Sequence, residues 1–292
     1  MSVKKAAVIN DLSGFGKCSL VADISVLSAL GTAPCPVPTA VLSAQTGFPH
    51  HSMRDCADDM ENCIESYTKM NESFDGILTG FFTGEREAEL SASFIEKFGR
   101  NDSIILVDPV MGDRGRAFAN FSDGLCDSMR ELVKKADIVT PNVTELLLLA
   151  GEKFTPELVS SLSRERIIEI AWSVIEKQGQ SIVVTGVSGD DSDNHDMISN
   201  ILVTEKEAKS FSSKRFGGGF SGTGDLFAAV MLGGALRGIS TEDTIKLAGE
   251  FIGKAASSAT ERNVMSAYGV DYEPYLSILV NAVMDGENNE RC

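Results

Sequence analysis

The chain has 292 residues, of which 43% are hydrophobic and 23% are charged, and its 26 basic and 42 acidic residues give a formal net charge of −16. This composition is typical of a globular protein and excludes a disordered one. The acidic balance argues against a protein that holds nucleic acid or an anionic membrane surface by charge, and no apolar run approaches the length of a membrane span.

Two features of the sequence predict a cytoplasmic protein. The N terminus has only four consecutive apolar residues, Ala6 to Ile9, which is too short a run for a secretory signal. The six cysteines include no CxxC pair, so the pattern predicts buried, reduced thiols and argues against a disulfide framework or a structural zinc site.

Short β-branched runs alternate with longer segments of helical periodicity through the first 190 residues. Such an alternation is typical of βαβ units and predicts a mostly parallel sheet with helices packed against it. The predicted strands are 5–10, 37–44, 76–82, 103–109, 137–141 and 181–185, and the predicted helices are 19–30, 55–69, 85–98, 122–135, 144–150 and 164–177.

The pattern changes after residue 190. Residues 200–216 are predicted to form a β-hairpin that turns at Glu205-Lys206-Glu207, which makes the sheet mixed. A glycine-rich turn then leads into an apolar helix over 225–236, and helices over 241–259 and 273–284 follow. The sequence has no internal repeat or interdomain linker, so we expect one domain over 1–284 and a frayed polar tail over 285–292.

Polar, turn-forming residues follow each predicted parallel strand. Any one of these groups is explained by a turn alone, but the carboxyl ends of parallel strands share one edge of a sheet, where ligands bind. Six groups along one edge therefore favour a site there. They are Asn10-Asp11, Gln45-Thr46-Gly47, Thr79-Gly80, Asp108-Pro109, Thr140-Pro141-Asn142 and Thr185-Gly186. Phe81 and Phe82 are typical core residues, but their place after Thr79-Gly80 indicates that one of them faces this site.

The segment Gly217 to Asp225, GGGFSGTGD, is the most informative in the chain. Consecutive glycines and a helix N terminus direct free N–H groups at an anion. A carboxylate at Asp225 beside such a cradle suits a group that takes a proton from a hydroxyl attacking a phosphoryl group. The alternative is a flexible turn with an acid near a helix N terminus. Neither the GxGxxG spacing at 217–222 nor GFGK at 14–17 fits its usual nucleotide-binding context.

Three acids near strand ends are candidate ligands for a hard cation. Asp108, Asp113 and Glu145, together with Asn142, offer the oxygen atoms that such an ion prefers, with water completing its coordination. Glu145 has a second interpretation as an acid in the first turn of a helix. Backbone amides, such a cation and the basic residues Lys17, Arg114 and Arg116 are expected to offset the acidic surface around a phosphate.

Several segments together resemble the pyridoxal and pyridoxamine kinases of the ribokinase-like (PfkB) superfamily. GTGDLFAA resembles the second signature of the superfamily, and four further motifs follow the same order as in these kinases. The segments are Gly222 to Ala229, Asp108 to Asp113 (DPVMGD), Ala136 to Gly151 (ADIVTPNVTELLLLAG), Leu78 to Phe82 (LTGFF) and Val41 to Phe48 (VLSAQTGF). The resemblance implies a three-layer α/β/α fold with a central, mostly parallel mixed sheet.

The resemblance also implies an activity, with a role for each matching residue. It implies a kinase of vitamin B6 salvage, which phosphorylates the 5′-hydroxymethyl group of pyridoxal, pyridoxamine or pyridoxine. Such a kinase uses ATP, Mg²⁺ and a monovalent cation such as K⁺, and it forms a homodimer. By this resemblance Asp225 is the catalytic base, and Gly222, Thr223 and Gly224 form the anion hole. Asp108 and Glu145 surround Mg²⁺, while Asp113, Thr140, Asn142 and Thr185 bind ATP, and Asp11, Ser13, Thr46 and Phe81 bind the vitamer.

The sequence departs from the family at two places and leaves two alternatives. Asp11 occupies a position where many members have Ser, with Ser13 two residues on, and Phe81 stands where Tyr is usual. A hydroxymethylpyrimidine kinase of thiamine synthesis shares the fold, base and anion hole, but LTGFF and DPVMGD favour the pyridoxal group. A non-catalytic ligand sensor is the other alternative, and the retained acids Asp225, Asp108 and Glu145 argue against it.

Overall fold

The computed structural model describes residues 3–188 and 197–289, which contain eleven strands and ten α-helices. The strands are β1 (Lys5–Ser13), β2 (Ala33–Leu42), β3 (Met53–Asp55), β4 (Phe74–Thr79), β5 (Gly99–Val107), β6 (Gly112–Asp113), β7 (Arg116–Ala117), β8 (Ile138–Val139), β9 (Ser181–Ser188), β10 (Met197–Val203) and β11 (Ala208–Lys214). The helices are α1 (Ser19–Ala29), α2 (Ala57–Lys69), α3 (Glu85–Phe98), α4 (Asp123–Lys135), α5 (Val143–Leu149), α6 (Pro156–Ser161), α7 (Arg164–Val174), α8 (Thr223–Leu236), α9 (Thr241–Glu261) and α10 (Leu276–Asn289).

Nine of these strands form one mixed sheet in the order β11-β10-β9-β8-β5-β4-β1-β2-β3. The six central strands, from β9 to β2 in this order, are parallel, so their carboxyl ends share one edge. The predicted hairpin is confirmed as β10 and β11, which pair antiparallel from Val203 opposite Ala208. Strands β6 and β7 form a separate small hairpin.

Helices cover both faces of the sheet. Alternate residues of β1 enter opposite cores: Ala7 and Ile9 pack with α3, α4, α5 and α7, whereas Ala6 and Val8 pack with α1, α8 and α9. Strands that are apolar on both faces are expected where helices lie on both sides. The predicted three-layer α/β/α architecture with a mostly parallel mixed sheet is therefore confirmed. None of the helices in the described ranges is long and apolar enough to cross a membrane.

Strand β2 begins four residues earlier than predicted, at Ala33, and includes three prolines. Proline lacks the N–H that a ladder requires and so suits a strand edge. Here the prolines Pro34, Pro36 and Pro38 pair in register with β1, while β3 joins the opposite side of β2 only at Ala40–Leu42. The proline-rich approach is therefore an exposed edge of the sheet, which the sequence pattern did not indicate.

The end of the chain also differs from the prediction. The last helix, α10, continues to Asn289, past the predicted helix end at residue 284. Most of the predicted tail is thus helical, and residues 290–292 lie outside the described ranges. The short elements β3, β6, β7 and α6 were not predicted, because two to six residues are too few to show a hydrophobic period.

Candidate active site

The carboxyl ends of the central strands are joined to one another by hydrogen bonds. The Thr140 hydroxyl after β8 donates to Asp108 Oδ1 after β5 at 2.7 Å, and the Asp108 amide donates to the Thr79 carbonyl of β4 at 2.9 Å. Asn142, which follows β8, forms a parallel bridge with Thr185 in β9. Hydrogen bonds or bridges therefore connect four neighbouring strands, β4, β5, β8 and β9, at the edge that the sequence predicted as a site.

The glycine-rich segment ends at the N terminus of α8, two residues earlier than predicted. Gly222 is the N-cap residue with a φ of 82°, and a Cβ at this position would overlap with the carbonyl oxygen of Lys17. The Leu226 amide is bonded to the Gly222 carbonyl at 3.1 Å. The amides of Thr223, Gly224 and Asp225 precede it in the first turn, where N–H groups have no partner within the helix. They can therefore donate to an anion.

Remote segments of the chain support this glycine turn. The side-chain nitrogen Nε2 of Gln45 donates to the Ala267 carbonyl at 2.5 Å and to the Ser221 hydroxyl at 3.4 Å. The Ser221 amide donates to the Ser266 carbonyl at 3.1 Å, and the Lys17 amide donates to the Tyr268 carbonyl at 3.0 Å. The loops after β1 and β2, the turn before α8 and residues 266–268 are therefore held together.

The three basic residues expected near the phosphates differ in their surroundings. Lys17 is bound by the carboxylates of Asp271 at 2.6 Å and Glu273 at 2.7 Å, so its charge is already matched. Arg114, in the turn between β6 and β7, reaches across to donate to the Gly218 carbonyl. Arg116 lies on the exposed strand β7. Within this group, only the Arg114 side chain bridges the small hairpin and the glycine-rich segment.

Asp225 has the environment of a proton acceptor. Its Oδ1 accepts a hydrogen bond from the Asn10 side chain at 3.2 Å. Burial raises the pKa of Asp225 to about 6, and the nearby charge of Asp11 adds to this rise. A carboxyl with a pKa close to neutral combines the correct protonation state with a useful driving force for proton transfer, as a general base requires.

Asp108 and Glu145 are buried carboxyls that receive hydrogen bonds from neutral groups. Glu145 forms a capping box with Asn142 at the start of α5, and its two oxygens accept from the amides of Met111 at 3.2 Å and Asn142 at 2.9 Å. Burial raises the pKa of Glu145 well above its usual range, and the charge of Asp108 raises it further. Burial likewise raises the pKa of Asp108. The helix-terminal interpretation of Glu145 is correct, and it leaves lone pairs for a cation.

This pair fits Mg²⁺ better than a metal held by protein alone. No group of three or more His, Cys, Asp or Glu side chains in the described part of the chain could hold a metal ion. Magnesium commonly takes one or two carboxylates and completes its octahedron with phosphate oxygens and water. Asp113 is exposed on the small hairpin, where its Oδ2 lies 3.6 Å from Arg114 Nε.

The residues expected to bind the vitamer are not alike. Asp11 and Ser13 are buried, and the Ser13 hydroxyl donates to Asp11 Oδ2 at 2.8 Å. Thr46 is exposed. Phe82 is fully buried in the core, whereas Phe81 is half-buried, with its carbonyl bonded to the Thr39 hydroxyl at 2.7 Å. Phe81 is therefore the aromatic ring of this pair that remains accessible.

Three polar residues that the sequence analysis did not assign to the site make hydrogen bonds within it. Asn10 contacts Asp225, Gln45 holds the glycine turn, and Asp23 of α1 is fully buried against Asn10. Asn10 and Gln45 were noted as members of strand-end turns but not as site residues. The signal for Asp23 was that it is the one charged residue in the helix SLVADISVLSA.

The stability of the protein without divalent cations is expected to fall as pH rises from 5 to 8. The pKa of Asp225 is about 6 in the folded protein, against about 4 for an unfolded Asp, and Asp108 is shifted in the same direction. A folded state with raised carboxyl pKa values keeps its protons longer, so ionisation costs on the order of 3 kcal/mol across this window. Urea denaturation at both pH values measures the loss.

Asp108→Asn removes one ionisation and is expected to reduce this pH dependence. Added Mg²⁺ is expected to restore stability at pH 8 if it binds the folded protein. Equal unfolding free energies of the original protein at pH 5 and pH 8 would show that ionisation of the buried carboxyls does not destabilise the folded protein.

Comparison with known proteins gives consistent matches. The sequence profile of the phosphomethylpyrimidine kinase family matches residues 16–269. The pyridoxine/pyridoxal/pyridoxamine kinase of Bordetella avium is 26% identical over 237 residues, which are 78% of this chain and 76% of the relative. A crystal structure with pyridoxal, of a protein assigned to the phosphomethylpyrimidine kinases in Bacteroides thetaiotaomicron, has a TM-score of 0.89 and 32% identity over 95% of this chain and 96% of that chain. Pyridoxal kinase from Lactobacillus plantarum has a TM-score of 0.86 and 25% identity over 96% and 98% of the two chains.

Proposed function

Because the chain belongs to the phosphomethylpyrimidine kinase family, we propose that it is a pyridoxal kinase, which transfers the γ-phosphoryl group of ATP to the 5′-hydroxymethyl group of pyridoxal, pyridoxamine or pyridoxine. The observation that carries the proposal is the position of Asp225, whose carboxyl lies in the first turn of α8 beside the amides of Thr223 and Gly224. A proton acceptor beside an anion cradle suits a hydroxyl that attacks a phosphoryl group.

In the reaction, the Asp225 carboxylate accepts the proton of the substrate hydroxymethyl group, and the oxygen of that hydroxymethyl group forms a bond to the γ-phosphorus. The bond from that phosphorus to the bridging oxygen breaks, and ADP leaves. The amides of Thr223, Gly224 and Asp225 donate to the phosphoryl oxygens, where negative charge concentrates. Asp108 and Glu145 would hold Mg²⁺, which, when bound, neutralises phosphate charge.

Other residues bind and orient the two substrates. Asp113, Thr140, Asn142 and Thr185 would lie along the ATP phosphates. Thr140 donates to Asp108, Asn142 follows Thr140 and bridges Thr185 of β9, and Asp113 ends β6 five residues after Asp108. Asp11, Ser13, Thr46 and Phe81 would contact the vitamer from the ends of β1, β2 and β4. Bringing two substrates into reactive geometry is the main work of an enzyme whose reaction needs little covalent help.

The printed names of relatives support the choice of acceptor. The Bordetella avium relative is named for all three vitamers, and the Bacteroides thetaiotaomicron structure contains pyridoxal. The family name favours the second candidate, a hydroxymethylpyrimidine kinase. Steady-state kcat/KM values for the three vitamers and hydroxymethylpyrimidine separate the candidates. A higher kcat/KM for the pyrimidine than for each vitamer would overturn the proposed acceptor.

The family resemblance also supports a K⁺ requirement, a homodimer and a cytoplasmic location. Replacing K⁺ by Na⁺ in the assay tests the first, and the molar mass in solution, against 31.2 kDa for one chain, tests the second. Fractionation of the source cells tests the third.

Phe81→Ala is expected to raise the KM for the vitamer at least about tenfold and to leave the KM for ATP within about twofold. The ring of Phe81 is half-buried beside the strand-end site, and stacking of aromatic rings stabilises a complex beyond simple burial. The measurement is initial velocity with each substrate varied in turn. Phe81→Tyr keeps an aromatic ring and serves as the control, with kinetics close to those of the original protein. Equal rises in both KM values would contradict the stacking role.

A further inference from the structure

Asn10 lies within β1, three residues before its end, with 2% of its surface exposed, and its side chain uses all its hydrogen-bonding groups. Its Oδ1 accepts from the amides of Asp11 at 3.0 Å and Phe81 at 2.9 Å. Its Nδ2 donates to Asp23 Oδ2 at 2.8 Å and to Asp225 Oδ1 at 3.2 Å. A carboxamide has two N–H donors and one oxygen with two lone pairs, so the group is fully satisfied.

These partners fix the orientation of the carboxamide. Two backbone amides point at one end, which must therefore be the oxygen, and two carboxyls face the other end, which must be the nitrogen. Gly80 leaves the necessary space, because a Cβ at residue 80 would come within 2.6 Å of the carboxamide of Asn10. A half-turn of the carboxamide would place its N–H groups against the two backbone amides and its oxygen against the two carboxyls, and would lose all four hydrogen bonds.

Asp23 holds the carboxamide from its far side. It projects from α1, is fully buried, and accepts the shorter of the two bonds from Nδ2. The second N–H of this nitrogen is thereby directed at Asp225 on α8. Asn10 thus joins three separate elements: the helix that supplies the base, the strand end that leads to Phe81, and α1 behind them.

We propose that Asn10 is a positioning residue for phosphoryl transfer, because its N–H holds the Asp225 carboxylate while its oxygen holds the backbone of Phe81, so that the base and the ring-binding segment keep a fixed relation. This inference rests on the proposed function, in which Asp225 accepts the proton and Phe81 contacts the ring. Its role differs from that of Asp225, since Asn10 acts on the hydroxymethyl group of the substrate only through the side chain of Asp225.

The test separates the two ends of the carboxamide. Asn10→Asp keeps an oxygen for the amides of Asp11 and Phe81 but replaces the N–H donors towards Asp225 and Asp23. We expect kcat to fall about 10- to 100-fold, the range for losing a hydrogen bond to a charged group, with the vitamer KM within about threefold. Asn10→Leu removes both ends, so we expect the same loss of kcat and a raised vitamer KM as well.

Asn120→Asp is the matched control. Asn120 donates to the Phe82 carbonyl at 2.7 Å and lies outside the catalytic machinery, so the same change of amide to acid should leave kcat within about twofold. Circular dichroism and thermal unfolding establish that all variants are folded. A kcat for Asn10→Asp equal to that of Asn120→Asp would overturn the positioning role.

A double-mutant cycle completes the experiment. If Asn10 acts through Asp225, Asn10→Asp should lower kcat in the original protein but cause little further loss in an Asp225→Asn background. Equal fold-losses in both backgrounds would overturn the inference while the proposed function stands. Lack of turnover by the original protein on all three vitamers and on the pyrimidine would overturn both.

Discussion

Asp225→Asn is expected to lower kcat by about 10² to 10⁴, the range that a positioned general base contributes, while the KM for ATP and the fold are retained. The side chain keeps its shape and its place in the first turn of α8, and its oxygen can still accept from Asn10. What the amide lacks is the ability to take up the proton of the attacking hydroxyl. Single-turnover measurements at saturating substrates report the loss directly.

Asp243→Asn is the matched control for this change. Asp243 also lies in the first turn of a helix, α9, where its carboxylate accepts from the Ser240 hydroxyl at 2.7 Å. Both substitutions replace a carboxylate in the first turn of a helix by an amide of nearly the same shape, but the pKa of Asp225 is raised by burial whereas that of Asp243 is lowered by its hydrogen bonds to Lys246 and Ser240. Only the change at Asp225 should affect turnover. Near-normal turnover by Asp225→Asn would show that another group accepts the proton.

Gly222→Ala is expected to have the second large effect, lowering kcat by at least about 10², the cost of removing one donor from an anion hole, and destabilising the protein. Gly222 has a φ of 82°, and its Cβ would overlap with the Lys17 carbonyl oxygen and lie 2.9 Å from Cys18 Cβ. The backbone must move to relieve this overlap. The amides of Thr223 and Gly224 would then leave the positions that bind the phosphoryl group.

Gly238→Ala separates backbone strain from steric overlap. Gly238 has a φ of 75°, but a Cβ there would have no atom within 4 Å. A left-handed conformation costs a non-glycine residue about 1 to 2 kcal/mol, so Gly238→Ala should show that cost alone, with normal kcat. Thermal unfolding and steady-state kinetics of both variants provide the comparison. Equal losses of stability with normal kcat in both would contradict the account of the anion hole.

The parts of the fold that follow from local periodicity were predictable. The alternation of strands and helices indicated the parallel sheet, and the polar residues after each strand indicated its functional edge. Helix α3 occupies the predicted range, Glu85–Phe98. Strand β2 was misplaced because its prolines are acceptable only at an edge, and which strand lies at an edge depends on the order of the whole sheet.

The candidate site was predictable where its residues lie at strand ends or in the glycine-rich segment. The roles of Asn10 and Gln45 were not, because they depend on partners more than 200 residues away: Asp225 for Asn10 and Ala267 for Gln45. Glu145 shows a different difficulty. Its sequence context fits both a helix cap and a metal ligand, and the capping box leaves both interpretations compatible.

Residues 266–273 hold together segments that are made earlier in the synthesis of the chain. Their carbonyl and carboxylate oxygens accept hydrogen bonds from the side chains of Lys17 and Gln45, in the first part of the chain, and from the Ser221 amide, in the turn before α8. A ribosome makes this segment after it has made Asp108, Glu145 and Asp225. A nascent chain therefore contains these acids before it contains the contacts that hold the glycine turn in place.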